Sequence, residues 1–70
     1  MQLKVHDTED FNIALALNIS YELKYIELTV CVCNKKAHTT KTKTFAAQNF
    51  AEALDYFEQQ ERFLLGTNGG

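Results

Sequence analysis

Across residues 11–21 the chain alternates without a break. Phe11, Ile13, Leu15, Leu17, Ile19 and Tyr21 are apolar or aromatic, and Asn12, Ala14, Ala16, Asn18 and Ser20 between them are small or polar. Successive side chains on a strand point to opposite faces, so this run predicts a strand with one buried face; wound as a helix, its apolar residues would scatter around the axis. Such a strand needs neighbours to pair with and a second layer to cover it. There is no proline, and all three glycines, Gly66, Gly69 and Gly70, fall in the last five residues. The usual markers of turns are missing, and the other elements have to be read from periodicity.

A second alternating run follows, with Ile26, Leu28, Val30 and Val32 on one face and Tyr25, Glu27, Thr29, Cys31 and Cys33 on the other. A reversal about Tyr21 and Glu22 sets Leu17 opposite Ile26, Leu15 opposite Leu28, Ile13 opposite Val30 and Phe11 opposite Val32, so the two apolar faces coincide. A further reversal centred on Lys36 sets Val32 opposite Thr40, Val30 opposite Thr42 and Leu28 opposite Thr44, which sends Lys41 and Lys43 to the outer face with Thr29, Cys31 and Cys33. Upstream, Leu3 and Val5 are expected to pair onto Ile13 and Phe11 across a loop at 6–10.

The period then changes. Phe50, Ala53, Leu54, Phe57 and Leu64 form an apolar stripe at helical spacing, and Glu52, Asp55, Glu58 and Arg62 take other positions. Asn49 with Glu52 reads as the start of a helix over 50–65, and Gly66 as its left-handed stop. The fold class expected is α+β: a four-stranded antiparallel meander, ββββα, with one C-terminal helix packed on one face. Residues 1–66 make a single domain, and 67–70 a flexible tail.

A chain of 70 residues builds one small core that is often marginal alone, so self-association as a homodimer is expected. The net charge of −2 excludes a bulk polyanion binder. Charge is nevertheless segregated: residues 28–45 carry Lys35, Lys36, Lys41 and Lys43 and no acid, whereas the segments on either side are acidic. This basic patch could contact phosphates, which makes weak nucleic-acid binding the alternative function. Lysines on a last, edge strand also prevent edge-to-edge aggregation, and no arginine or aromatic residue interleaves these four.

Little in the chain suggests chemistry. His6 and His38 lack the context of a nucleophile and base pair, and no glycine-rich loop is present to cradle phosphate. No catalytic residue, enzymatic activity or cofactor is expected. Cys31, Cys33 and His38 on one hairpin supply three soft ligands at best, short of a structural zinc set; His6 is the other soft-ligand candidate, and no metal is expected. The acids of the 6–10 loop read as a solvated turn. No early apolar run resembles a signal or membrane segment, so the expected location is cytoplasmic with no membrane partner.

Surface is what remains. One sheet face would present Asn12, Ala14, Ala16 and Asn18 from the first long strand, and Tyr25, Glu27, Thr29 and Cys31 from the second. It is flat, small-featured and lightly charged, and it suits docking or dimerisation. The back of the helix offers a second surface, Glu52, Asp55, Tyr56 and Gln59 with Glu58, acidic with one aromatic anchor; the same residues would also serve as an ordinary solvated face. Both point to a non-enzymatic protein-binding module.

The strands at 12–17 and 24–33 and the strand-to-helix passage at 43–54 together resemble small phage-encoded and mobile-element proteins, including some anti-CRISPR proteins, that fold as a short antiparallel sheet plus one helix. The resemblance is architectural, covers most of the chain and carries no diagnostic motif. It implies a stoichiometric inhibitor of a host complex, acting in the host cytoplasm without catalysis.

Overall fold

The computed structural model describes residues 1–69, with side chains as far as Gly66. Its centre is a long hairpin of β2 (Phe11–Ser20) and β3 (Tyr25–Asn34), flanked by β1 (Gln2–Asp7) and β4 (Thr39–Ala46). The sheet is antiparallel throughout in the order β1-β2-β3-β4, and a 3-10 turn, Ala47–Asn49, leads into one helix, α1 (Phe50–Gly69). This is the α+β, ββββα layout that the alternation predicts. Phe11, Ile13 and Leu15 of β2 meet Leu28, Val30 and Val32 of β3 and Ala53 and Phe57 of α1 in one buried core, with Leu17, Phe45, Leu54, Tyr56 and Leu64 packed around it.

Registers differ from the sequence reading in three places, each for a local reason. In the central hairpin Ile13 pairs with Val32, Leu15 with Val30, Leu17 with Leu28 and Ile19 with Ile26. That is two residues away from the expected pairing, and an even shift leaves every side chain on its face. The turn occupies 21–24, where the Leu23 amide donates to Ser20 Oγ at 3.2 Å and Lys24 takes a left-handed φ of 55°.

Between β3 and β4 the shift is odd. Val32 pairs with Lys41, Val30 with Lys43 and Leu28 with Phe45, so Lys41 and Lys43 stand on the helix side and Thr40, Thr42 and Thr44 on the outer face, the reverse of the expected arrangement. Phe45 is the reason: in this register its ring packs under the helix, 5.8 Å from Tyr56, and the Lys43 ammonium lies 5.3 Å from the Phe45 ring centroid and 4.9 Å from that of Tyr56. Lysine keeps its charge in water while its stem covers apolar surface, so the helix side of an edge strand tolerates it.

At β1 the expected parity also fails. Lys4 pairs with Leu15 and His6 with Ile13, and a bulge lies between Gln2 and Lys4. Leu3 and Val5 are 40% and 50% exposed. The helix explains the exchange: Glu58 reaches Lys4 at 3.8 Å and Glu61 reaches His6 Nδ1 at 2.6 Å. The strand runs on to Asp7, and the remaining loop is held by Thr8 Oγ1, which accepts from the amides of Asp10 and Phe11 at 3.2 and 3.1 Å.

The helix departs from expectation at its C-terminal end. α1 begins at Phe50, as expected, but Asn49 lies in the 3-10 turn Ala47–Asn49 ahead of it, and Phe50 is 45% exposed and so outside the core stripe. At the other end α1 continues through Gly66 to Gly69, and a Cβ on Gly66 would meet nothing within 4 Å. Gly66 is therefore a helix residue and not its stop. The expected mobile tail at 67–70 falls on residues whose side chains, and at Gly70 whose backbone, lie outside the described residues.

With no glycine before Gly66, left-handed turn positions fall to Lys24 and His38, at φ 55° and 56°. A side chain costs about 1–2 kcal/mol in that conformation, partly offset by the extra unfolded-state freedom of glycine. His38→Gly is expected to raise stability by about 0.5–1 kcal/mol, read as a higher urea midpoint at unchanged slope.

Candidate functional site

Among the described residues only one side of the sheet is covered, by α1. On the other, the register builds rows of side chains running across the strands: Asp7, Asn12, Cys33 and Thr40; then Val5, Ala14, Cys31 and Thr42; then Gln2, Ala16, Thr29 and Thr44; then Asn18, Glu27 and Ala46; and finally Ser20 with Tyr25. Asn12, Ala14, Ala16, Asn18, Tyr25, Glu27, Thr29 and Cys31, the eight residues singled out from sequence, thus share one face. Thr40, Thr42, Thr44 and Val5 join them because of the registers described above, and sequence reasoning had missed all four.

The chemistry of this face is uniform. Asp7 and Glu27 are its charged residues, at opposite ends, and the middle is methyl, hydroxyl, amide and thiol groups. Asn18 Nδ2 donates to Thr29 Oγ1 at 2.7 Å, and Thr40 Oγ1 approaches Cys33 Sγ at 3.7 Å. Asp7 is tied off: Lys35 Nζ donates to its Oδ1 at 2.8 Å and Asn12 Nδ2 to the same oxygen at 3.1 Å, and these contacts hold its carboxyl below the usual carboxylate range. Its charge is thereby balanced locally.

Beyond the last row the hairpin ends in an apolar tip, with Tyr25 on the open face and Ile19 and Ile26 on the helix side. Because β4 stops at Ala46, opposite Glu27, and the chain turns back into α1, the Ile19–Ile26 pair projects past the start of the helix. Ile19 and Ile26 are about half exposed, as is Tyr25, and Tyr21 and Leu23 in the turn are 85% and 71% exposed. The signal for this tip was present in the sequence: the alternation runs on to Ile19 and Tyr21, further than a helix entering after β4 reaches.

The other candidate residues are placed less favourably. Lys35 and Lys36 meet Asp7 and Asp10 at 2.8 and 3.5 Å, whereas Lys41 and Lys43 lie on the helix side at the β4 edge, so the basic patch is divided between two places. On the helix, Glu52, Asp55, Tyr56 and Gln59 line a shallow groove of about 190 Å³ with Lys43 and Phe45. Gln59 Nε2 donates to Asp55 at 2.8 Å, and Tyr56 is half-buried against Phe45 and does not project as an anchor. Cys31 and Cys33 are on the open face, His6 on the helix side and His38 in a turn, so the soft ligands do not converge. Among the described residues no helix is long and apolar enough to cross a membrane.

No protein-family model matches the chain, and searches of curated proteins and of solved structures find no match either.

Proposed function

We propose that this chain is a non-enzymatic protein-binding module whose contact surface is the uncovered sheet face together with the projecting β2–β3 tip. One observation carries the reading: a full four-stranded face of small, nearly uncharged side chains has no layer over it among the described residues and ends at exposed Tyr25, beside a hairpin tip whose other side bears exposed Ile19 and Ile26. Flat surfaces with few charges and an aromatic at the margin lose little on desolvation, which favours association with another protein. Stoichiometric antagonism of a host complex, as in the phage and mobile-element proteins of similar architecture, is the form of binding we favour, and a second copy of the chain is the other protein partner such a face admits.

The test is capture by the tagged chain from a nuclease-treated host lysate, run beside Ala16→Arg. Ala16 sits mid-face, where an arginine leaves the core untouched but props any flat partner away. The expected result is a stoichiometric protein recovered by the native chain and reduced more than tenfold with the variant. Equal recovery by both would overturn the sheet-face reading. Recovery of nucleic acid alone from an untreated lysate, with an affinity that falls steeply with salt and a slope flattened by replacing Lys41 and Lys43 with serine, would replace it with the nucleic-acid alternative.

A further inference from the structure

The two edges of the sheet are not alike. β1 is blunted: it has a bulge between Gln2 and Lys4, and Lys4 and His6 are drawn to Glu58 and Glu61 of the helix. β4 has neither device. It pairs with β3 without a shift from Glu27 opposite Ala46 to Asn34 opposite Thr39, contains no proline, and among the described residues has no strand beside the outward half of its amides and carbonyls. Its helix-side residues are Thr39, Lys41, Lys43 and Phe45, and among the described residues no carboxylate lies within ion-pair distance of Lys41 or Lys43. Beside Thr39 and Lys41, a groove of about 220 Å³ opens toward Val32, Phe63 and Leu64.

We propose that β4 is a docking edge for an extended, acidic segment of a partner protein, which adds antiparallel as a fifth strand and sets carboxylates opposite Lys43 and Lys41 and an apolar side chain opposite Thr39. Main-chain hydrogen bonds hold such a segment, and the alternate side chains select it. Charge rules out the simplest competitor, a second copy paired through the same edge. In both antiparallel registers that join nearly all of β4 to itself, a lysine of one copy stands opposite a lysine of the other, and like charges directly opposite are unfavourable. An acidic strand turns the same positions into attractive pairs. This edge is distinct from the open face, and binding here stands or falls separately from the function proposed above.

The probe is a short synthetic peptide reading glutamate, threonine, glutamate, threonine, leucine between flanking threonines, titrated into the intact protein. Two further versions carry N-methyl groups on alternate amides, one in each phase. On an added strand only one phase of amides points at β4, so one version should lose binding more than tenfold and the other stay within about threefold of the parent. Lys41→Glu with Lys43→Glu should weaken the glutamate peptide about tenfold and bring a lysine-substituted peptide above it. Ala16→Arg should leave peptide binding unchanged. Equal behaviour of the two methylated phases, no saturation by about 1 mM, or a lysine peptide binding the native chain as well as the glutamate peptide would each overturn the proposal. None of these outcomes bears on capture through the open face.

Discussion

Val30→Asp is expected to leave the chain unfolded at neutral pH, whereas Cys31→Asp, one position along the same strand, costs about 1 kcal/mol and folds. Val30 is fully buried between Leu15 and the helix layer, with no polar partner that could hold a carboxylate there. An unpaired charge in that place costs several kcal/mol, set against a total stability of roughly 4–10 kcal/mol for a domain of this length. Cys31 is half-buried among Ala14 and Thr42 on the uncovered face, where water reaches an added carboxylate. Circular dichroism and urea denaturation of the two variants read the difference directly. Similar losses for both would mean that a layer covers both faces, and the bare face would be wrong.

The second large effect lies in the helix. Phe57→Ala is expected to cost about 3–5 kcal/mol, because the ring is fully buried and its removal leaves a cavity that a sheet on one side and a helix on the other cannot close. Among the described residues Phe57 and Ala53 are the two helix residues in the buried core, and the rest of the α1 contact is through partly buried Leu54, Tyr56 and Leu64, so little is left to hold the layers together. The Lys4 ammonium, 5.0 Å from the ring centroid, loses its aromatic neighbour as well. Phe63→Ala serves as the contrast: at 66% exposure it should change the urea midpoint by no more than about 0.5 kcal/mol. Comparable losses for the two phenylalanines would contradict this assignment of the core.

Alternation in two long runs and one helical stripe was enough to place four strands and a helix in order, because burial repeats at two residues on a strand and near four on a helix. Register was only partly legible. In the central hairpin the pattern repeats every two residues and is blind to a shift of two, which the geometry of the turn at Ser20 and Lys24 decides. In β4 the run of alternating threonine and lysine carries one apolar marker, Phe45, and giving it priority over the lysines would have set the correct face. For β1 no local pattern could have served, since Lys4 and His6 face inward toward Glu58 and Glu61, more than fifty residues away in the chain. The sheet face at 12–18 and 25–29 was legible because an even shift preserves faces. The division of the four lysines was not, because it follows from the odd shift in β4 and from the carboxylates of Asp7 and Asp10 across the loops.

These shifts bear on function. Turning Lys41 and Lys43 toward the helix removes the two charges that the expected register would have placed on the outer face, and leaves Thr40, Thr42 and Thr44 in their place. The same turn strings lysines along an edge strand that otherwise has no guard. A single odd register thus makes the face neutral and the edge basic, and two surfaces with different chemistry result from one eight-residue strand.

The most direct test of the central claim is amide chemical-shift mapping of the labelled chain during titration with the protein recovered by capture. Perturbations centred on Ala14, Ala16, Thr29 and Cys31 and extending to Tyr25 and Ile26 are the expected result. Perturbations confined to the outer helix residues Glu52, Asp55 and Gln59, or to the hairpin lysines Lys35 and Lys36, would contradict it.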